Sequence, residues 1–189
     1  MAVQAVPPQT QTLVTGEELL AMGDIGPCEL IEGRVVLMSP TGLRHGRHEI
    51  RFGKHLDDFV SQHNLGVVAV GEVGIYIRRN PDTVRAADVA FISHTRLAQQ
   101  KQPSGFLEIA PELVVEIMSP DDRWSEVKQK LREYFSIGVK LIWVADPSDR
   151  TVHVYRSLTD VREFTETDML TGDDVLPGFS VPVPGLFED

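Results

Sequence analysis

Residues 111–146 read PELVVEIMSPDDRWSEVKQKLREYFSIGVKLIWVAD, the strongest structural signal in the chain. Leu113 to Met118 form a short, nearly continuous apolar run closed by Ser119-Pro120, the pattern of a strand buried on both faces. From Asp121 to Ile137 the residues Trp124, Val127, Leu131, Tyr134 and Phe135 make one helical face, and Gly138 stops the helix. Lys140–Asp146 is a second buried strand. Strand, helix and strand in this order predict a right-handed crossover between parallel strands.

On the N-terminal side, CELIEGRVVLMSP (residues 28–40) has two apolar runs flanking Glu32-Gly33 and predicts a β-hairpin. Apolar spacing becomes helical from His45 to about Gln62, through Ile50, Leu56, Phe59 and Val60. Two extended segments, Val67–Arg78 and Arg85–Ser93, are parted by the turn Asn80-Pro81-Asp82. Residues 94–111 read as a loop or broken helix, and Thr15 to Glu18 as a capping box opening a short helix. Beyond Asp146, a turn leads into a strand over Thr151–Arg156, and residues 161–189 offer one more strand and a proline-punctuated tail. These elements predict an α/β fold with a central mixed β-sheet flanked by helices and an N-terminal β-hairpin. Residues 1–12 are expected to form a flexible tail, and 13–189 a single domain.

Composition narrows the function. With 42% hydrophobic and 24% charged residues, a wholly disordered chain is excluded. No apolar run approaches the roughly 18–20 residues of a membrane span. The lone cysteine, Cys28, rules out an internal disulfide framework and fits a reducing, cytoplasmic setting. Eighteen basic residues against 28 acidic give a net charge of −10, which argues against tight, non-specific nucleic-acid binding by this chain alone. The same balance suits carboxylates gathered around a divalent cation.

Two carboxylates break the strand pattern. Asp88 stands among Ala86, Ala87, Val89, Ala90 and Phe91, and Glu116 among Val114, Val115, Ile117 and Met118. An unpaired buried carboxylate costs several kcal/mol or takes up a proton, so each needs a partner. A basic side chain, main-chain N–H groups at a helix start, or a cation shared between neighbouring strands would serve. Lys130 lies on the helix after the Glu116 strand, at the border of its apolar face, where it can reach a carboxylate pair or form a plain ion pair with Glu116.

The ordered series Glu29-Leu-Ile-Glu-Gly33, Met38-Ser-Pro40, His45, Ala87-Asp88-Val89-Ala90-Phe91, Pro111 to Pro120, Lys130-Leu-Arg-Glu-Tyr134, Gly138-Val139, Trp143-Val-Ala-Asp146-Pro147 and Leu176-Pro-Gly-Phe179 resembles the Uma-type restriction endonuclease family, within the PD-(D/E)xK nuclease superfamily. The resemblance implies a restriction-endonuclease-like core and Mg²⁺- or Mn²⁺-dependent cleavage of DNA phosphodiester bonds. It implies Asp88 and Glu116 as metal ligands, Lys130 as the catalytic lysine, and His45 and Glu29 as pocket residues. Two departures stand out: Ala87 where the motif has proline, and Met118 where the E-x-K triplet has lysine. With so acidic a chain, DNA binding is expected to rely on a homodimer or a partner. The alternative is an inactive nuclease-fold interaction module in which Glu116 and Lys130 form a structural ion pair.

Other features carry less. His45 and His48 are one helical turn apart and able to chelate, but no further ligands complete a zinc set. Cys28 reads as an ordinary thiol. Arg78, Arg79 and Arg85 flank a turn, where they would meet a phosphate backbone or solvent.

Overall fold

The computed structural model describes residues 12–120 and 122–188, so most of the expected N-terminal tail lies outside the described residues. In chain order the elements are α1 (Gly16–Ala21), β1 (Cys28–Ile31), β2 (Arg34–Leu37), α2 (Leu43–Gln62), β3 (Gly66–Arg78), β4 (Thr83–Ser93) and α3 (His94–Leu97). Then follow β5 (Leu113–Ile117), α4 (Trp124–Ile137), β6 (Leu141–Asp146), β7 (Thr151–Tyr155), β8 (Val161–Phe164), β9 (Met169–Gly172), β10 (Leu176–Pro182) and α5 (Val183–Leu186).

The first eight strands build one mixed sheet, ordered β2-β1-β4-β5-β6-β7-β8, with β3 paired to β4 off this path. Among the described strands only β5 and β6 pair in parallel, in register from Leu113↔Leu141 to Ile117↔Ala145, and α4 bridges them as the crossover pattern predicts. Gly138 ends α4 at φ +97°, a left-handed conformation that glycine adopts without a Cβ clash. The hairpin turn between β1 and β2 places both Glu32 (φ +52°) and Gly33 (φ +75°) in that region, as a two-residue primed turn requires.

Alternation along β5 divides the core. Leu113, Val115 and Ile117 join Phe52, Leu56 and Val60 of α2 on one face. Val114 joins Val127, Leu131 and Tyr134 of α4 on the other. Glu116 therefore points to the α4 face, and helix α4 determines what it meets.

Two expectations need correction. Trp124 does not share the buried face of α4; it is 38% exposed and sits edge-on to His153 at the start of the helix. Residues 161–189 hold three strands and a helix instead of one strand and a tail. Leu170, Leu176, Phe179, Val181, Val183, Leu186 and Phe187 are all buried in the α2-side core. The prolines there do not break structure: Pro177 lies where the β9–β10 register shifts, and Pro182 closes β10, positions that tolerate a missing N–H.

Candidate active site

β4 and β5 pair from Phe91↔Leu113 to Val89↔Val115, and one step further along this register Asp88 stands opposite Glu116. There the ladder gives way to side-chain bonding: the Ile117 N–H donates to Asp88 Oδ2 at 2.6 Å. The opening leads into a cleft of about 750 Å³, whose lining includes Glu29, His45, Glu72, Asp88, Glu116 and Lys130. All five residues singled out from the sequence meet in this cleft, although β1, α2, β4, β5 and α4 each contribute one.

On the α4 side, Lys130 Nζ donates to Glu116 Oε2 at 2.7 Å and to the Ala86 carbonyl at 3.3 Å, and lies 3.3 Å from Glu29 Oε1. These are as many acceptors as an ammonium has protons. The Tyr134 hydroxyl, fully buried, donates to the other Glu116 oxygen at 2.7 Å. Glu29 in turn takes Arg85 Nη1 at 2.5 Å and the Ala86 N–H at 3.2 Å, and Arg85 continues to Glu133. Met118 puts no charge beside Glu116, and Lys130 brings an ammonium to it from helix α4.

On the α2 side, His45 Nε2 lies 3.3 Å from Asp88 Oδ1, and His45 Nδ1 lies 3.3 Å from Ser119 Oγ. His45, Glu49 and Asp88 each offer a donor atom, and these atoms lie within 4.8 Å of one another. The sequence reading missed Glu49. Its signal was the four-residue step from His45, which puts both side chains on one helix face. Glu49 is steadied by the Gly71 main chain, at a bulge in β3 that also turns Glu72 toward the cleft.

The electrostatics follow from burial and charge. Burial pushes Glu116 from its ordinary 4.5 up to about 7; the Asp88 charge adds to this, and Lys130 and Tyr134 only partly oppose it. Burial acts on Glu29 in the same sense, but Lys130 and Arg85 outweigh it and hold that carboxyl below its usual value. Lys130 is held above the ordinary lysine value because Glu116 and Glu29 face it, despite its burial. The hydrogen bond to Asp88 raises His45, while burial and the Asp88 charge raise Glu49. The α4 side is thus a closed, charge-compensated network, whereas the α2 side gathers like charges that a cation would relieve.

The remaining sequence candidates point elsewhere. His48 is buried against Leu186 and Phe187, so it does not chelate with His45. Burial raises the Cys28 thiol, consistent with an unreactive side chain. Arg78 pairs with Glu32, and Arg79 with Glu17, Asp82 and Glu108, so neither is left for a phosphate; Arg85 belongs to the buried network.

Residues 17–184 match the Uma2 family, described as "Putative restriction endonuclease". The chain belongs to this family. A solved structure with the same fold, described as a "putative nuclease belonging to DUF820" from Anabaena variabilis, superposes with a TM-score of 0.76. It is 19% identical and covers 92% of this chain and 97% of its own. No curated protein matches the chain. The nuclease-like architecture expected from the sequence is therefore the architecture of this Uma2 chain, and among its described residues no helix is long and apolar enough to cross a membrane.

Proposed function

We propose that the chain is a divalent-cation-dependent endonuclease, using Mg²⁺ or Mn²⁺ to hydrolyse DNA phosphodiester bonds in the cytoplasm. The observation that carries this reading is the convergence of Asp88, Glu116 and Lys130 in one cleft, with His45 and Glu49 adding donors on the Asp88 side. Asp88, His45 and Glu49 would hold the cation, and Glu116 is the further carboxylate on the adjoining strand. A bound cation would supply Lewis-acid polarisation of the phosphate and a more acidic water. Asp88 is fixed by the Ile117 N–H, so one oxygen is committed and the other faces His45. Lys130 would serve as a positive charge beside Glu116, since the facing Glu116 and Glu29 carboxylates hold it above the ordinary lysine value. A homodimer would set two such centres against the two strands of a duplex and offset the acidic surface.

One observation favours the other reading, a nuclease-fold interaction module. Glu116 and Lys130 already satisfy each other, with Tyr134 and Glu29 completing the set. Plasmid nicking with Mn²⁺ or Mg²⁺ decides between them. Nicking that disappears on adding a chelator and in both Asp88→Asn and Glu116→Gln supports the nuclease. An inert wild type, with no rise in Tm on adding either ion, supports the module.

A further inference from the structure

We infer that the His45–Glu49–Asp88 centre is built for a first-row transition-metal dication in preference to Mg²⁺, and that Ser119 is the positioning residue that fixes which His45 nitrogen faces the ion. The inference rests on the metal-dependent reading above and narrows its cofactor.

The donor set is mixed. Two carboxylates and one imidazole lie with their donor atoms within 4.8 Å of one another. Mg²⁺ favours an all-oxygen, largely hydrated shell, whereas imidazole nitrogen favours the later divalent ions, with affinity rising from Mn²⁺ through Co²⁺ and falling again only beyond Cu²⁺. Three protein ligands beside an open cleft also leave a coordination position free, as catalytic sites for such ions do.

His45 reaches this position through helix geometry and one external contact. It and Glu49 lie four residues apart on α2, so both project toward Asp88 from the same helix face. Nε2 is the nitrogen on the Asp88 side, at 3.3 Å from Oδ1. Nδ1 is turned the other way, at 3.3 Å from Ser119 Oγ. A ligating histidine commonly donates its second N–H to such an acceptor, which fixes both the tautomer and the ring plane. Ser119 can hold the ring steady because its own backbone is held: it follows the β5 strand that carries Glu116, and its N–H is anchored on Asp122 Oδ2 at 2.8 Å. Strand β5 and its exit therefore steady both Asp88, through the Ile117 N–H, and His45, through Ser119.

The test is direct titration of the metal-free full chain with Mg²⁺, Mn²⁺ and Co²⁺ by calorimetry, with Tm as a second readout. Mn²⁺ and Co²⁺ are expected to bind at least tenfold more tightly than Mg²⁺. His45→Asp, which makes the donor set all oxygen, should shrink that margin. Ser119→Ala should weaken Mn²⁺ binding about 10- to 100-fold, the usual cost of losing such a partner, and Ser119→Thr should restore it. Mg²⁺ binding as tight as Mn²⁺ in the wild type, or Ser119→Ala binding like wild type, would overturn the inference and leave the metal centre standing. If no ion binds the wild type, the metal-dependent reading fails and the inference falls with it.

Discussion

Replacing Lys130 by methionine keeps the length of the side chain and removes its charge. Glu116 then keeps only the Tyr134 hydroxyl as a donor, while Glu29 still has Arg85 and the Ala86 N–H. The loss therefore falls on Glu116. Removing one member of a buried pair costs about 3–5 kcal/mol, because the other charge is left uncompensated. The cost should depend on pH, with a sign set by Glu116. In the wild type its folded value, about 7, exceeds its ordinary 4.5. The fold thus favours the protonated carboxyl, and this preference stabilises it fully below 4.5 and is lost as pH rises through about 7. The gap amounts to about 3 kcal/mol on the alkaline side. Without Lys130 the Glu116 value climbs further, so Lys130→Met should lose most stability above neutrality and far less near 4.5, where Glu116 takes up a proton. Adding Glu116→Gln should recover much of the alkaline loss. Urea unfolding of both single variants and the double variant across this range measures all three quantities. A Lys130→Met penalty below about 1 kcal/mol that is flat with pH would refute the buried-pair reasoning.

Tyr134→Phe removes one buried donor from Glu116 and should cost about 1–3 kcal/mol in urea unfolding, with the fold retained by circular dichroism. Phe187→Ala should cost about 3–5 kcal/mol, because its ring packs against Phe52 and His48 in the α2-side core; a Tm equal to the wild type would show that the last turn contributes little. Gly138→Ala places a Cβ at a left-handed residue and should lower stability by about 1–2 kcal/mol in the same assay, although nothing lies within contact distance of that Cβ.

The fold was legible wherever periodicity and punctuation agreed. The β5–α4–β6 crossover has clean apolar runs bounded by Ser-Pro and Gly, and the β1–β2 hairpin has Gly33 at its turn. Asp88 and Glu116 stood out because a carboxylate inside an apolar strand needs an explanation, and Lys130 because it borders the apolar face of the next helix. Glu49 was hidden because α2 is rich in polar residues, so a buried-side acid looks like one more solvated side chain. Glu72 was hidden by the β3 bulge, which strand alternation does not anticipate. The final segment was misjudged because its prolines outweighed its evenly spaced apolar residues, which only the tertiary core reveals as buried.

The burial of Val183, Leu186 and Phe187 also bears on the cleft. His48, one turn along α2 from His45, rests against Leu186 and Phe187, so this segment braces the helix that presents His45 and Glu49. Glu116 and Lys130 meet on the opposite, α4 face of the sheet. Damage to residues 183–187 should therefore disturb His45 and Glu49 before it reaches the Glu116–Lys130 pair.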